Sequence, residues 1–175
     1  MAVLPIITAP DPRLKAVSEP VSVVDDGIRS LLDDMLASMY DAVGIGLAAI
    51  QVGVEKRMVV IDVVDANGEQ GNPLFLINPE IVWTSDDERV HEEGCLSLPE
   101  HYAEVIRPDE VRVTYLDRDG KDQELHAAGI LSTCIQHELD HLDGILFVDH
   151  ISTVRRNMIL RKLKKLKRQN QPVGS

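Results

Sequence analysis

The chain has few aromatic residues: two Phe, one Trp and three Tyr among 175 positions. Its core must therefore be assembled from Leu, Ile, Val, Ala and Met. Cysteine is scarce too, at two residues. With no export signal in view, two cysteines suggest reduced thiols in a cytoplasm, and not a disulfide framework. The opening residues MAVLPIITAPDPRLKA have no basic start, and Pro5 and Pro10 break their short apolar run. They do not read as a signal peptide, and no later stretch has the length of a membrane span, so no membrane partner is expected. There is no GxGxxG and no phosphate-loop Lys-Ser/Thr pair, which removes the usual signs of nucleotide binding. After Asp149 the chain has no acidic residue at all.

What is present is ordinary in bulk and uneven in distribution. Hydrophobic residues make up 44% and charged residues 27%, as expected of one globular domain able to bury its own core. We assign that domain to residues 1–168, followed by a disordered tail at 169–175. Net charge is −11, yet residues 155–168 hold eight basic side chains and no acid. The remainder then carries ten basic against 29 acidic residues, a net of −19. So acidic a body repels DNA, and any contact with RNA must go through the C-terminal segment.

Periodicity gives an α+β unit without repeats. Ile28, Leu31, Leu32, Met35, Met39 and Val43 recur at helical spacing until Gly44 stops the run. Segments 57–64 (RMVVIDVV) and 74–83 (LFLINPEIVW) predict strands. Segment 111–116 alternates, and the turn residues DRDG at 117–120 lead to a partner strand near 123–126. A second helix is predicted from about 130 to 142, capped by Gly144. A third starts from Ser152 or Thr153 and runs to about Arg168, with Val154, Met158, Ile159, Leu163 and Leu166 as its apolar stripe.

The chemistry lies on the second helix, in His137-Glu138-Leu139-Asp140-His141. Residues four apart share a helix face, so both imidazoles can reach one ion, with Glu138 free to act on a bound water. A catalytic site of this kind needs a third ligand and one open position. Downstream, position 147 is Phe, where an extended HExxHxxGxxH pattern would place His. Two candidates remain on the residues alone, His150 and Cys95, and the glycine-preceded turn Glu93-Gly94-Cys95-Leu96-Ser97 favours the second. Cys134 lies one turn before His137, but it leans toward the helix start and roughly 10 Å from His141. It reads as a small buried neighbour.

A third segment, 44–51 (GIGLAAIQ), concentrates small residues where backbone can lie against a substrate. Taken alone it would be a helix cap leading into a tightly packed strand. Together, GIGLAAIQ, EGCLS and QHELDH resemble, in order and spacing, the three signature motifs of the peptide deformylases. The resemblance spans essentially the whole chain, including the basic C-terminal helix of one bacterial type.

That resemblance implies small antiparallel sheets packed around a central metal-binding helix, with a further helix at the C-terminus. It implies that Cys95, His137 and His141 bind one divalent ion, Fe2+ natively, with Zn2+, Ni2+ or Co2+ as substitutes. Glu138 would be the general acid and base, while the Gln51 side-chain amide and the Leu96 N–H bind the substrate oxygen. The substrate would be the formylmethionyl end of a nascent polypeptide, and formate a product. Ile45, Gly46 and Gly94 would pair with the peptide backbone, and Ile130, Cys134 and His137 would line the methionine pocket. The basic helix would tether the enzyme to the ribosome. Tyr102 and His91 stand where many relatives carry Arg and an aliphatic residue.

Overall fold

The computed structural model describes residues 2–64 and 67–170. Strands β1 (Gly46–Ala48), β2 (Met58–Ile61), β3 (Leu74–Thr84), β6 (Glu110–Leu116) and β7 (Asp122–Ala128) form one antiparallel sheet in the order β1-β2-β3-β6-β7. Strands β4 (Glu88–Cys95) and β5 (Leu98–Pro108) pair separately as a hairpin. Helix α1 spans Asp26–Asp41, α2 Gly129–Leu142 and α3 Thr153–Gln169. The fold is thus α+β, with small antiparallel sheets around α2 and a helix at the C-terminus. Among the described residues, no helix is long and apolar enough to cross a membrane.

The pattern of β2 explains the layering. All four of its residues are buried, because its two faces meet different helices. Val59 and Ile61 join the cluster that packs Ile135, Leu139 and Leu142 of α2. Met58 and Val60 join the cluster of Ile28, Leu32, Met35 and Met39 from α1. Such a two-sided strand reads as a continuous apolar run, not as an alternation. A third cluster sets Leu98 and Val105 of β5 against Phe147, Ile159 and Leu163.

Helix ends follow local chemistry. The Asp25 side chain caps α1 by accepting from the Ile28 N–H (3.0 Å). Beyond α2, Gly144 adopts φ 75°, where a Cβ would lie 2.4 Å from the Lys15 carbonyl oxygen. The Ile145 N–H reaches the Asp140 carbonyl (2.9 Å) and the Gly144 N–H the His141 carbonyl (3.2 Å), a Schellman closure. Ser152 caps α3 through the Arg155 N–H (3.3 Å).

Several boundaries differ from the sequence reading. Helix α1 stops at Asp41, so Val43 leaves the apolar stripe and is exposed. The strand expected over 57–64 covers only 58–61. Asp62 turns away from the ladder, its carboxylate accepting from the Tyr40 hydroxyl and from the Gly71 N–H. Helix α3 continues through Gln169 with Asn170 as its cap, and residues 171–175 lie outside the described residues. Of its expected stripe, only Ile159 and Leu163 are buried, while Val154, Met158 and Leu166 are exposed. The β4–β5 hairpin was not foreseen.

Candidate active site

Three elements converge. Helix α2 supplies His137, Glu138 and His141, all buried. The end of β4 supplies Glu93, Gly94 and Cys95, and Leu96 and Ser97 make the tight turn into β5. Strand β1 and the short 3-10 turn Ala49–Val52 supply Gly46 and Gln51. The close approach of β1 to α2 depends on glycine: a Cβ on Gly46 would meet Cys134 Sγ and Glu138 Cγ at 2.9 Å.

The three proposed ligands lie together. One donor atom each from Cys95, His137 and His141 falls within 4.8 Å of the others, and Cys95 Sγ is 3.3 Å from His141 Nε2. His150 is not in this group. Its Nε2 lies 2.8 Å from Asp140 Oδ2, so the alternative third ligand is placed elsewhere. Cys134 is also outside the group, its Sγ 3.8 Å from the Ile45 carbonyl oxygen.

A polar chain holds the first imidazole. His137 Nδ1 meets Glu93 Oε1 at 2.9 Å. Arg107 donates twice to Glu93, at 2.6 and 2.9 Å, and once to Asp140 at 2.9 Å. Phe147 stacks on His137 with ring centroids 6.1 Å apart. A carboxylate on Nδ1 leaves Nε2 as the free donor atom of His137. None of Glu93, Arg107, Asp140 or Phe147 was singled out from the sequence, although Glu93 and Asp140 stand inside the two motifs. Arg107 lies on the unforeseen strand, and nothing in the pattern marked it.

Gln51 is fixed in one orientation. Its Oε1 accepts from the Ala48 N–H (2.9 Å), so its amide nitrogen must face the cysteine turn. There Nε2 donates to Ser97 Oγ (3.0 Å) and lies 3.5 Å from Cys95 Sγ.

Burial sets the protonation behaviour. It pushes the Glu138 carboxyl up to about 7, against the opposing pull of the His137 charge. Burial and the His137 charge both hold His141 well below its ordinary value, which favours the neutral imidazole that a metal needs. Burial likewise pushes the Cys134 thiol upward. Two polar atoms of the site are buried without a hydrogen-bond partner among the described residues, Glu138 Oε2 and His141 Nδ1. Beside Glu138 opens a cavity of about 380 Å³ whose walls include Ile45, Gly46, Gly94, Leu96, Ile130 and Cys134. The sequence-derived pocket residues thus share one cavity, with His91 and Tyr102 also on its wall.

Two imidazoles and a cysteine sulfur converging beside a buried carboxyl with one unpartnered oxygen make a centre of the kind found in metal-using hydrolases. Comparison with known proteins makes this specific. The model of the polypeptide deformylase family matches residues 3–157. A peptide deformylase of Mesorhizobium japonicum is 55% identical over 98% of this chain and 97% of its own length. One from Rhizobium meliloti is 54% identical, covering 94% of each. The crystal structure of peptide deformylase from Ehrlichia chaffeensis superimposes with a TM-score of 0.92 at 41% identity, covering 97% of this chain and 99% of that one. The chain belongs to the polypeptide deformylase family and is a hydrolase of that class.

Proposed function

We propose that the protein removes the N-formyl group from the N-terminal formylmethionine of new polypeptides, in a metal-dependent hydrolysis that releases formate. The observation that carries the reading is the cluster of Cys95, His137 and His141 donor atoms within 4.8 Å, next to a buried, unpaired Glu138 oxygen. Such a donor set fits one divalent ion: one soft sulfur, two imidazoles and, among the described residues, no fourth protein ligand in the group. Fe2+ is the proposed native ion, with Zn2+, Ni2+ or Co2+ able to replace it.

When bound, the ion supplies Lewis acidity and brings the pKa of its water toward ~7. Cys95, His137 and His141 hold it, and Glu93 keeps His137 in its ligating tautomer. Glu138 takes a proton from the attacking water and later delivers it to the leaving amine. Burial, which raises the pKa of this carboxyl, helps it hold the proton between the two steps. Water adds to the formyl carbon, the carbon–nitrogen bond breaks, and formate leaves beside a free amino terminus. The Gln51 amide N–H and the Leu96 N–H stabilise the oxygen that gains charge as that carbon becomes tetrahedral.

Ile45, Gly46 and Gly94 pair with the peptide backbone, while Ile130, Cys134 and His137 receive the methionine. The setting is a cytoplasm, and exposed basic side chains on α3 provide a ribosome contact. The test is to follow bound metal and formate release together, in the parent protein and in Cys95→Ala. Loss of both in the variant supports the reading. Formate release without metal in the parent would contradict it.

A further inference from the structure

The imidazole of His137 is reached from two directions by one short turn, the 3-10 segment Phe147–His150 that follows α2. Its first residue, Phe147, stacks on the His137 ring. Its last, His150, meets Asp140 Oδ2 at 2.8 Å. An ionised carboxylate only accepts, so His150 Nε2 carries the hydrogen and donates. The same Asp140 oxygen accepts from Arg107 Nη1 (2.9 Å), while Arg107 Nε and Nη2 hold Glu93. Glu93 in turn contacts His137 Nδ1. Glu93 and Arg107 are buried, Asp140 is partly exposed, and His150 stands at the surface. A surface imidazole is thereby joined to a buried one through an unbroken series of charged contacts.

The turn itself is pinned. Asp149 accepts from the Leu146 N–H (2.9 Å), from Lys15 Nζ (2.8 Å) and from Arg156 Nε of α3 (2.7 Å). His150 is therefore carried by backbone tied both to the body and to α3, whereas Asp140 lies on a helix face partly open to water. Of the two donors on Asp140 Oδ2, Arg107 is also claimed by Glu93. The His150 side chain has no other hydrogen-bond partner among the described residues.

We propose that His150 is a positioning residue for His137. By anchoring Asp140 it keeps Arg107 in its fork on Glu93, and so keeps the His137 ring turned toward Cys95 and His141. This rests on the ligand assignment above. A hydrogen bond between charged or polar partners of this kind holds the carboxylate in one orientation. Without it, Asp140 turns to water and Arg107 loses the contact that braces it from the side opposite Glu93. The ring is then fixed less firmly by its outer partner.

The experiment loads the full chain with Co2+ and follows the loss of its visible absorbance to excess chelator, with Tm measured alongside. The proteins are the parent, His150→Leu, His150→Gln, Arg107→Met and the double variant of Arg107→Met with His150→Leu. Partners in direct contact with a metal ligand change metal affinity by roughly 10–100-fold; His150 lies further out along the chain, so His150→Leu should release Co2+ about fivefold faster than the parent. His150→Gln, whose amide nitrogen donates from nearly the place of Nε2, should return release to within about twofold of the parent. In Arg107→Met the series is already cut between Asp140 and Glu93, so adding His150→Leu should change release by less than about 1.5-fold. Release at the parental rate from His150→Leu would overturn the proposal whatever its Tm, since a histidine kept only to tie the turn to α2 would move stability alone. Failure of His150→Gln to restore slow release would overturn it as well. So would a fivefold effect that persists beside Arg107→Met, because the effect would then bypass Arg107 and Glu93. A parent that takes up no Co2+ would overturn the ligand reading and this proposal with it, a result distinct from a parent and variants that load and release alike.

Discussion

Arg107→Met should cost the fold about 3 kcal/mol, and the cost should depend on pH in a defined direction. The Arg107 side chain is 6% exposed and that of Glu93 3%. Methionine roughly fills the space of the arginine stem, so the main loss is the cation that holds a buried carboxylate. Removing one partner of a buried ion pair costs about 3–5 kcal/mol. His137 still contacts Glu93 at 2.9 Å, and Asp140 keeps His150 at 2.8 Å, which places the expectation at the lower end. In a chain of 175 residues that loss lowers Tm by about 6–12 °C.

The pH dependence follows from Glu93. Burial raises its pKa, but the hydrogen bonds from His137 and Arg107 outweigh this and bring it from 4.5 to about 2. A carboxyl with a depressed folded pKa adds stability above its unfolded pKa and loses it as pH falls toward the folded value. Here the contribution is about 3 kcal/mol, lost between pH 4.5 and about 2. Without Arg107 the carboxyl moves upward and that loss shrinks. The stability gap between parent and variant should therefore narrow as pH falls. Urea unfolding of both proteins from about pH 7 to 3 measures it. A neutral-pH gap below about 1 kcal/mol, or a gap that widens on acidification, would refute the reasoning.

Other perturbations have separable outcomes. Glu138→Gln should retain metal but lose about 10²–10⁴ in kcat, because the residue moves protons and is not a ligand. Cys95→Ala should empty the site while Cys134→Ala leaves it loaded, as metal analysis would show; the reverse pattern would sink the ligand assignment. Gln51→Leu removes both the donor and the Ala48 anchor (2.9 Å), and should cost about 10²–10³ in kcat. Truncation after Thr153 should lower Tm, since it removes buried Ile159 and Leu163. Charge reversal at exposed Lys164, Lys165 and Arg168 should instead leave Tm nearly unchanged and reduce co-sedimentation with ribosomes, most visibly at low salt.

Much of this was legible in the sequence where apolar periodicity coincided with the fold. The three helices, β3, β6 and β7 carry their period openly, and the His137–His141 spacing requires a shared helix face. The β4–β5 hairpin was hidden by the site it serves. Its inward positions include Glu93 and Arg107, both buried, whereas Val90, Tyr102 and Ile106 point to solvent. Glu93 and Arg107 thus share the inner face with Ala103 and Val105, and with apolar residues also outside, the alternation by which a half-buried strand is recognised is blurred. Asp62 hid the end of β2 in the same way, since its partners Tyr40 and Gly71 are distant in sequence. Val43 misled for a different reason: it has the side chain of a core residue at the position of a helix-ending glycine.

Relative activity on formyl-Met and acetyl-Met peptides tests the central claim most directly. A formyl carbon bears only hydrogen beyond its oxygen and nitrogen, and the proposed reacting centre is crowded by Gly46, Glu138 and the Cys95 turn. The account predicts rapid formate release from formyl-Met-Ala-Ser, with acetate release from the acetyl analogue slower by at least about tenfold, the discrimination one added methyl group can give in a tight pocket. Equal rates on the two peptides would contradict it.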